Sequence, residues 1–442
     1  MAMLVAALSL ADSRPARALD EPPLPLSLSG AIARGLEKNL GILLAEQSVR
    51  GAGGARWQAL SALLPNVALR TFKTRQKINL AAFGFPLPLG QSPLIGPFNV
   101  VDLRVAASAP LFDYSAIERA RASGEMESAA GHTFKDARDL VVFVCANLYL
   151  QAVNGASRIE AARAQLRTAQ ALADRAVNLK QAGVVAGIEV LRAQVQLESQ
   201  QQRVIVYEHE FAKQKLALER AIGLPLDQSI DLTDSVPYAP LPEARLEDRL
   251  AQAYDSREDY KGAQAMLRAA ESARRAAMGE ALPTVRLNTD YGRIGNTFAD
   301  ALGTYSVNAT VTVPLFQGGR VHGRMLQADA QFRQQAAQVE DLRSRIEYDV
   351  RTATLDGESA DQRVRVAKRA AELAAEQLAQ AQDRFAAGVT GNLEVVQAQE
   401  AVATATDNYL TSLHAHNVAK ISLARAIGLS EERVGELLGG RK

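Results

Sequence analysis

Residues 302–316 read LGTYSVNATVTVPLF. Tyr305, Val307, Ala309, Val311, Val313 and Leu315 alternate with Ser306, Asn308, Thr310 and Thr312, which gives one apolar and one polar face. The pattern predicts a strand over about 303–315, long enough to cross a bilayer at a tilt. A half-buried sheet in water gives the same alternation, so the surrounding sequence has to decide. Three more such stretches occur. Over about 284–294, Val285, Leu287, Thr289 and Tyr291 alternate with Arg286, Asn288 and Asp290. Over about 99–111, Val101, Leu103, Val105, Ala107 and Ala109 alternate with Asp102, Arg104, Ala106 and Ser108. The fourth, about 66–77, is weaker, because Lys73 and Arg75 interrupt its apolar face. Four strands cannot close a barrel, and lipid does not tolerate open sheet edges. A membrane-spanning chain of this kind must pool strands with copies of itself. Eight strands would enclose only side chains, whereas twelve, from three copies, leave a lumen.

Outward from these strands the chain is duplicated. Pro110-Leu111-Phe112 matches Pro314-Leu315-Phe316 at an offset of 204. Gly183-Val184 followed by Ile188-Glu189-Val190-Leu191-Arg192-Ala193-Gln194 matches Gly388-Val389 followed by Leu393-Glu394-Val395-Val396-Gln397-Ala398-Gln399 at an offset of 205. Arg220-Ala221-Ile222-Gly223-Leu224 matches Arg425-Ala426-Ile427-Gly428-Leu429 at the same offset, and Leu64-Pro65 matches Leu282-Pro283 at 218. The first copy therefore carries about 14 extra residues, which fall in the Pro- and Gly-rich stretch from Ala81 to Pro97. Two structural repeats follow, over 19–226 and 246–430, with a linker at 227–245 and a tail at 431–442. Each repeat reads as helix, two strands, very long helix, tight turn, helix. The opening helix is predicted from about Ser29 to Ala62, where Pro65 stops it. The long helix is predicted from Asp113, a fitting N-cap, to about Gln181, roughly 100 Å at 1.5 Å per residue. A helix of that length needs a wall of neighbouring helices.

Composition narrows the function. The 442 residues carry 50 basic and 49 acidic side chains, so no basic surface points to nucleic acid. Aromatics are only 5% of a chain that is 48% hydrophobic, and alanine supplies much of the rest, which suits close helix packing. Cys145, the single cysteine, lies in an apolar helical stretch and reads as a packed residue, leaving no disulfide or thiolate zinc site. Met1 to Ala11 is apolar and Ala16-Arg17-Ala18 fits a cleavage site, so 1–18 reads as a signal peptide, although no positive charge precedes the apolar run. No run of 18 consecutive apolar residues appears, so no transmembrane helix is predicted. Gln317-Gly318-Gly319-Arg320 resembles a phosphate loop but lacks Gly-Lys-Ser/Thr and coincides with a repeat junction, where a tight turn is the better reading. His414 and His416 would point to different sides of a helix, which disfavours a shared metal site. No nucleophile elbow is present. An exit duct and a soluble coiled-coil scaffold both remain open at this point.

The doubled Pro-Leu-Phe junction (Pro110 and Pro314), the doubled Ala-Gly-Val turn with its acidic residue and Ala-Gln pair, and the repeated element plan decide between them. On these marks the chain resembles, from about Leu26 onward, the outer membrane efflux protein family of TolC-like outer membrane factors. The resemblance implies a mainly α fold with a small β part. It implies a homotrimer that forms a twelve-stranded outer-membrane β-barrel continued by an α-helical periplasmic barrel. It implies a passive exit duct of a tripartite efflux or type I secretion system, with no cofactor or metal and no enzymatic activity. The partners implied are outer membrane lipid, a periplasmic adaptor (membrane fusion) protein and an inner-membrane RND or ABC pump. By the same resemblance, Gly183, Val184, Gly187, Gly388, Val389 and Asn392 form the adaptor-docking tip. Pro110, Pro314, Gly318 and Gly319 mark the strand-to-helix junctions. The linker at 227–245 lies at the equator.

The gate is implied at Glu394, the position of an acidic ring, with Glu189 as its counterpart in the first repeat. Phe385, Thr390 and Gln397 stand where the family can place a tyrosine, an arginine and a second acid, so the resemblance implies a gate held more weakly here, or by different contacts. A first-turn carboxylate also simply favours the helix N-terminal dipole, and that reading of Glu189 and Glu394 stays open.

Overall fold

The computed structural model describes residues 23–84, 92–235, 238–241, 244–387, 389–429 and 431. The signal-peptide reading of 1–18, Gly388 and nearly all of the tail lie outside the described residues, as do 85–91 within the predicted loop. In chain order the elements are β1 (Leu24–Leu26), α1 (Leu28–Lys38), α2 (Leu40–Ser61), β2 (Asn66–Asn79), a 3-10 turn (Leu80–Phe83), β3 (Leu94–Phe112), α3 (Tyr114–Gln181) and α4 (Gly187–Ala221). There follow β4 (Ile230–Leu232), α5 (Leu246–Ser256), α6 (Glu258–Gly279), β5 (Thr284–Gly295), β6 (Leu302–Thr312), α7 (Arg320–Ala386) and α8 (Asn392–Ala426).

The long helices have 68 and 67 residues, about 100 Å each. Neither stands alone: α3 packs on α2, α4 and α6, and α7 packs on α6 and α8. Alanine dominates the buried positions of α3, with Ala116, Ala120, Ala122, Ala129, Ala146 and Ala152 all interior, so the helices approach closely. The interior is a series of separate clusters along the helices. One gathers Leu26, Leu28, Val141, Val142, Cys145, Tyr149, Leu218, Ile222 and Ile230 around α3; another gathers Ala253, Ile346, Val350, Leu423 and Leu429 around α7. Two smaller clusters lie towards the distal ends of the long helices.

The expected opening helix of 29–62 is two helices. Asn39 breaks it with extended backbone (ψ 129), accepts from the Gly41 N–H at 2.8 Å as an N-cap, and donates Nδ2 to the Ala221 carbonyl at 3.0 Å. Arg257, 218 positions later, makes the same break between α5 and α6 and pairs with Asp259 and Asp349. The absence of a span-length apolar helix also needs correcting. By length and composition α3 contains one 18-residue window apolar enough to cross a membrane. Scattered polar residues hide it from a search for unbroken runs, and the apolar stretch around Val141 to Leu150 is packed into the main interior cluster.

The sheet runs in the order β2-β3-β5-β6, antiparallel throughout, so the two repeats meet at the β3–β5 pair. β3 begins at Leu94, five residues before the expected start, and β6 stops at Thr312, short of the expected 315. Pro314 has no N–H for a ladder and lies just beyond that stop. Pro110 stays within β3 at a register shift between Pro110 and Phe112. A second sheet pairs β1 with β4 in parallel. The Tyr149 hydroxyl donates to the Leu26 carbonyl (3.0 Å) and accepts from the Asp234 N–H (3.3 Å), and the Asp234 carboxylate caps the Leu28 N–H (2.7 Å). The linker is thereby stitched to the start of the described chain.

Candidate functional site

Register sorts the sheet into two faces. Val67 pairs with Ala107, Leu69 with Val105, Val105 with Tyr291 and Tyr291 with Tyr305, so one face is a continuous apolar surface across all four strands. It is bare in the single chain, with Tyr305 78% and Leu69 67% exposed. The opposite face is polar and internally paired. Arg104 bridges to Asp290 and, at 3.3 Å, to Asp102, and donates to the Thr304 hydroxyl at 3.2 Å. Ser306 bonds Asp290, and Ser108 bonds Asn288 at 2.8 Å. In this chain β2 and β6 are open edges among the described residues. At the junctions, Asp113 caps α3 through the Ala116 N–H (2.8 Å). α7 instead starts after Gly318 and Gly319, at φ +59° and +81°, where a side chain would be strained. Both Arg320 and Arg324 pair with Glu280 there.

At the other end of the long helices lie the two predicted tip turns. Gly183 has φ +76°, and the Val184 N–H closes on the Leu179 carbonyl at 2.9 Å. The Val389 N–H closes on the Arg384 carbonyl at 3.0 Å, the same arrangement in the second repeat. Val184 and Val389 are both exposed. Gly187 opens α4 and Asn392 opens α8, and neither helix has a side-chain N-cap. Glu189 and Glu394 therefore supply the first-turn negative charge.

Their partners differ. Glu189 pairs with Arg192 at 2.8 Å, whereas Glu394 accepts from the Thr390 hydroxyl at 2.5 Å and faces Arg384 at 3.4 Å. Asn392 is fully buried, and its Nδ2 reaches the Glu189 carbonyl at 3.4 Å, which joins the two turns. Phe385 is buried with Leu172, Ala381, Val395 and Ala398, under the Arg175 guanidinium at 5.6 Å from its ring. Gln397 is exposed and lines an open groove between α7 and α8 with Arg363, Val366 and Glu400. The structure thus brings Thr390, Glu394, Asn392 and the Glu189 backbone together, and leaves Phe385 in the packing and Gln397 apart. Sequence reading missed Arg384. It lies ten positions before Glu394, across a turn, so no helical spacing connects the two.

Above the tip, Arg158 on α3 makes a two-pronged contact with Asp407 on α8 (2.7 and 2.8 Å), and Tyr207 on α4 donates to the same carboxylate at 3.1 Å. This clasp joins helices of both repeats. Cys145 is enclosed beneath Gly35, and burial pushes its thiol up to about 11, which makes it a packing residue.

The family model for outer membrane efflux proteins matches residues 31–224 and 250–429. A curated relative, the pyoverdine export outer membrane protein OpmQ of Pseudomonas putida, is 24% identical over 327 residues, which is 73% of this chain and 68% of that protein. The outer membrane protein VceC of Vibrio cholerae superposes with a TM-score of 0.79 at 18% identity, over 91% of this chain and 96% of that one. The open state of the Neisseria gonorrhoeae MtrE outer membrane channel gives 0.75 at 19%, over 91% and 89%.

Proposed function

Since the chain belongs to the outer membrane efflux protein family, and so resides in the outer membrane, we propose that three copies close their four-stranded sheets into one twelve-stranded barrel continued by a periplasmic helical tunnel. The observation that carries this reading is the bare apolar sheet face with two open edges, continuous with helices about 100 Å long. Pairing β2 of one copy with β6 of the next removes both edges, and the Arg104–Asp290 face then lines the lumen. A soluble coiled-coil scaffold, the alternative the helices alone allow, leaves that apolar face unexplained.

The conduit is passive. A periplasmic adaptor docks at the turns around Gly183, Val184, Gly187 and Val389, where Val184, Ile188, Val389 and Leu393 are exposed, while the buried Asn392 holds the two turns together from inside. An inner-membrane pump of the RND or ABC class supplies the energy. Glu394 faces the axis at the narrow end, held by Thr390 and tempered by Arg384. Cross-linking of the detergent-extracted protein is expected to trap a trimer, and that trimer is expected to conduct ions in planar bilayers. A water-soluble monomer with no conductance would overturn the proposal.

A further inference from the structure

Lys73 and Arg75, which break the alternation of β2, have a place in the sheet. Strand alternation and register put them on the apolar face with Val67 and Leu69, and put Arg293 of β5 on that face with Tyr291. Lys77, at the register shift of β2, alternates to the same side, so four charges fall on this face among the described strand residues, and all four are basic. Lys73 lies seven residues and Arg75 nine residues from the helical end of β2, and Arg293 lies nine from that of β5. At about 3.3 Å per residue and a tilt near 40°, that is roughly 18–23 Å above the helical end, close to the top of an apolar band about 25 Å tall. Tyr291 and Tyr305, cross-strand partners on the same face, each lie seven residues up and mark the level of an aromatic girdle. The helical end of this face, with Val67, Leu69, Ala109, Val285, Leu287 and Val311, carries no charge.

Lys73, Arg75 and Arg293 are exposed, as is Lys77, and among the described residues none of them meets a carboxylate; Arg293 donates to the Ala301 carbonyl at 3.0 Å. On the polar face Arg104 is held by two aspartates, whereas Arg70 and Arg286 of that face meet no carboxylate among the described residues. A neighbouring copy cannot neutralise Lys73 and Arg75 along the ladder, because β6 (Leu302–Thr312) contains no charged residue. Unpaired cations on a lipid-facing surface are tolerated only near an interface, where anionic headgroups can reach them. With the helices in the periplasm, that interface is the outer leaflet.

We propose that Lys73, Arg75 and Arg293 form a docking patch for the phosphate groups of the outer leaflet's phosphorylated glycolipid. The proposal rests on the barrel reading above. The test uses the full chain reconstituted in phosphatidylcholine vesicles doped with bisphosphorylated lipid A, dephosphorylated lipid A or phosphatidylglycerol. The readouts are lipid retained per protomer after washing and trimer content on a native gel. Bisphosphorylated lipid A is expected to be retained over the other two. The triple variant K73Q/R75Q/R293Q is expected to lose about fivefold in retention per charge removed, the factor one surface cation contributes against an anionic leaflet. The charge-preserving variant K73R/R75K/R293K is expected to keep wild-type retention, which separates charge loss from misfolding. Equal retention by the Gln variant, or retention of dephosphorylated lipid A or phosphatidylglycerol at the same level, overturns the patch alone. A wild-type chain that inserts without conducting brings down the barrel reading and the patch with it.

Discussion

Replacing Arg384 with glutamine should make the pore more cation-selective, although the residue removed is a surface arginine and no carboxylate changes. The Arg384–Glu394 pair is 3.4 Å apart with side chains 57% and 39% exposed, so a water-like dielectric applies and the direct attraction is about 1 kcal/mol. In a trimer, three such pairs nearly cancel, and an acidic ring of Glu394 is masked in the wild type. Without the arginines, a cation passing about 6 Å from three carboxylates gains roughly 2 kcal/mol in water, or near 1 kcal/mol after screening at physiological salt. That corresponds to about a fivefold gain in cation permeability, shrinking at high salt. The assay is the reversal potential in planar bilayers under a potassium chloride gradient. Glu394→Gln alone should shift selectivity towards anions, and Arg384→Gln with Glu394→Gln should return near wild type, since both rings are then neutral. An unchanged reversal potential in Arg384→Gln, or a shift towards anions, would refute the placement of this pair at the constriction.

Gly35→Ala puts a methyl group 2.5 Å from the Cys145 Sγ and should cost about 1–3 kcal/mol of stability as overpacking. Cys145→Ala should restore most of it in a thermal-melt double-mutant cycle, while Cys145 in the native wild type should resist maleimide until unfolded. Tyr149→Phe removes the hydroxyl that joins the Leu26 carbonyl to the part-buried Asp234 N–H, and since the carbonyl keeps the Thr233 N–H at 3.1 Å, stability should fall by about 1 kcal/mol with little effect on conductance. Burial, with Arg158 nearby, holds His414 below the ordinary imidazole range. The unfolded chain then binds more protons once pH drops through that range, so stability is complete above it and declines on acidification; His414→Gln should flatten that slope in melts run from pH 8 downwards. Arg158→Ala releases a two-pronged contact that is about one-third exposed and should cost about 1 kcal/mol, read as faster amide exchange in α8 around Asp407.

Sequence alone determined the elements whose information is local or repetitive. Period-two alternation located the four long strands, and the Gly183-Val184 pair located the first turn, because a left-handed residue at a helix end selects glycine. The 205-residue offset carried the second repeat, and the family resemblance followed from the same doubled marks. Tertiary structure decided what depends on distant partners. Asn39 splits a helix because its side chain finds the end of α4. β1 and β4, three residues each, exist only as a pair, too short for any periodicity. Arg384 meets Glu394, and Asn392 meets the Glu189 backbone, because turns fold residues from different segments against each other. Lys73 and Arg75 looked like faults in a strand until the register of four strands put Arg293 on the same face. A charge on an alternating strand has a side fixed by its own position, but its neighbours and its height are properties of the whole sheet.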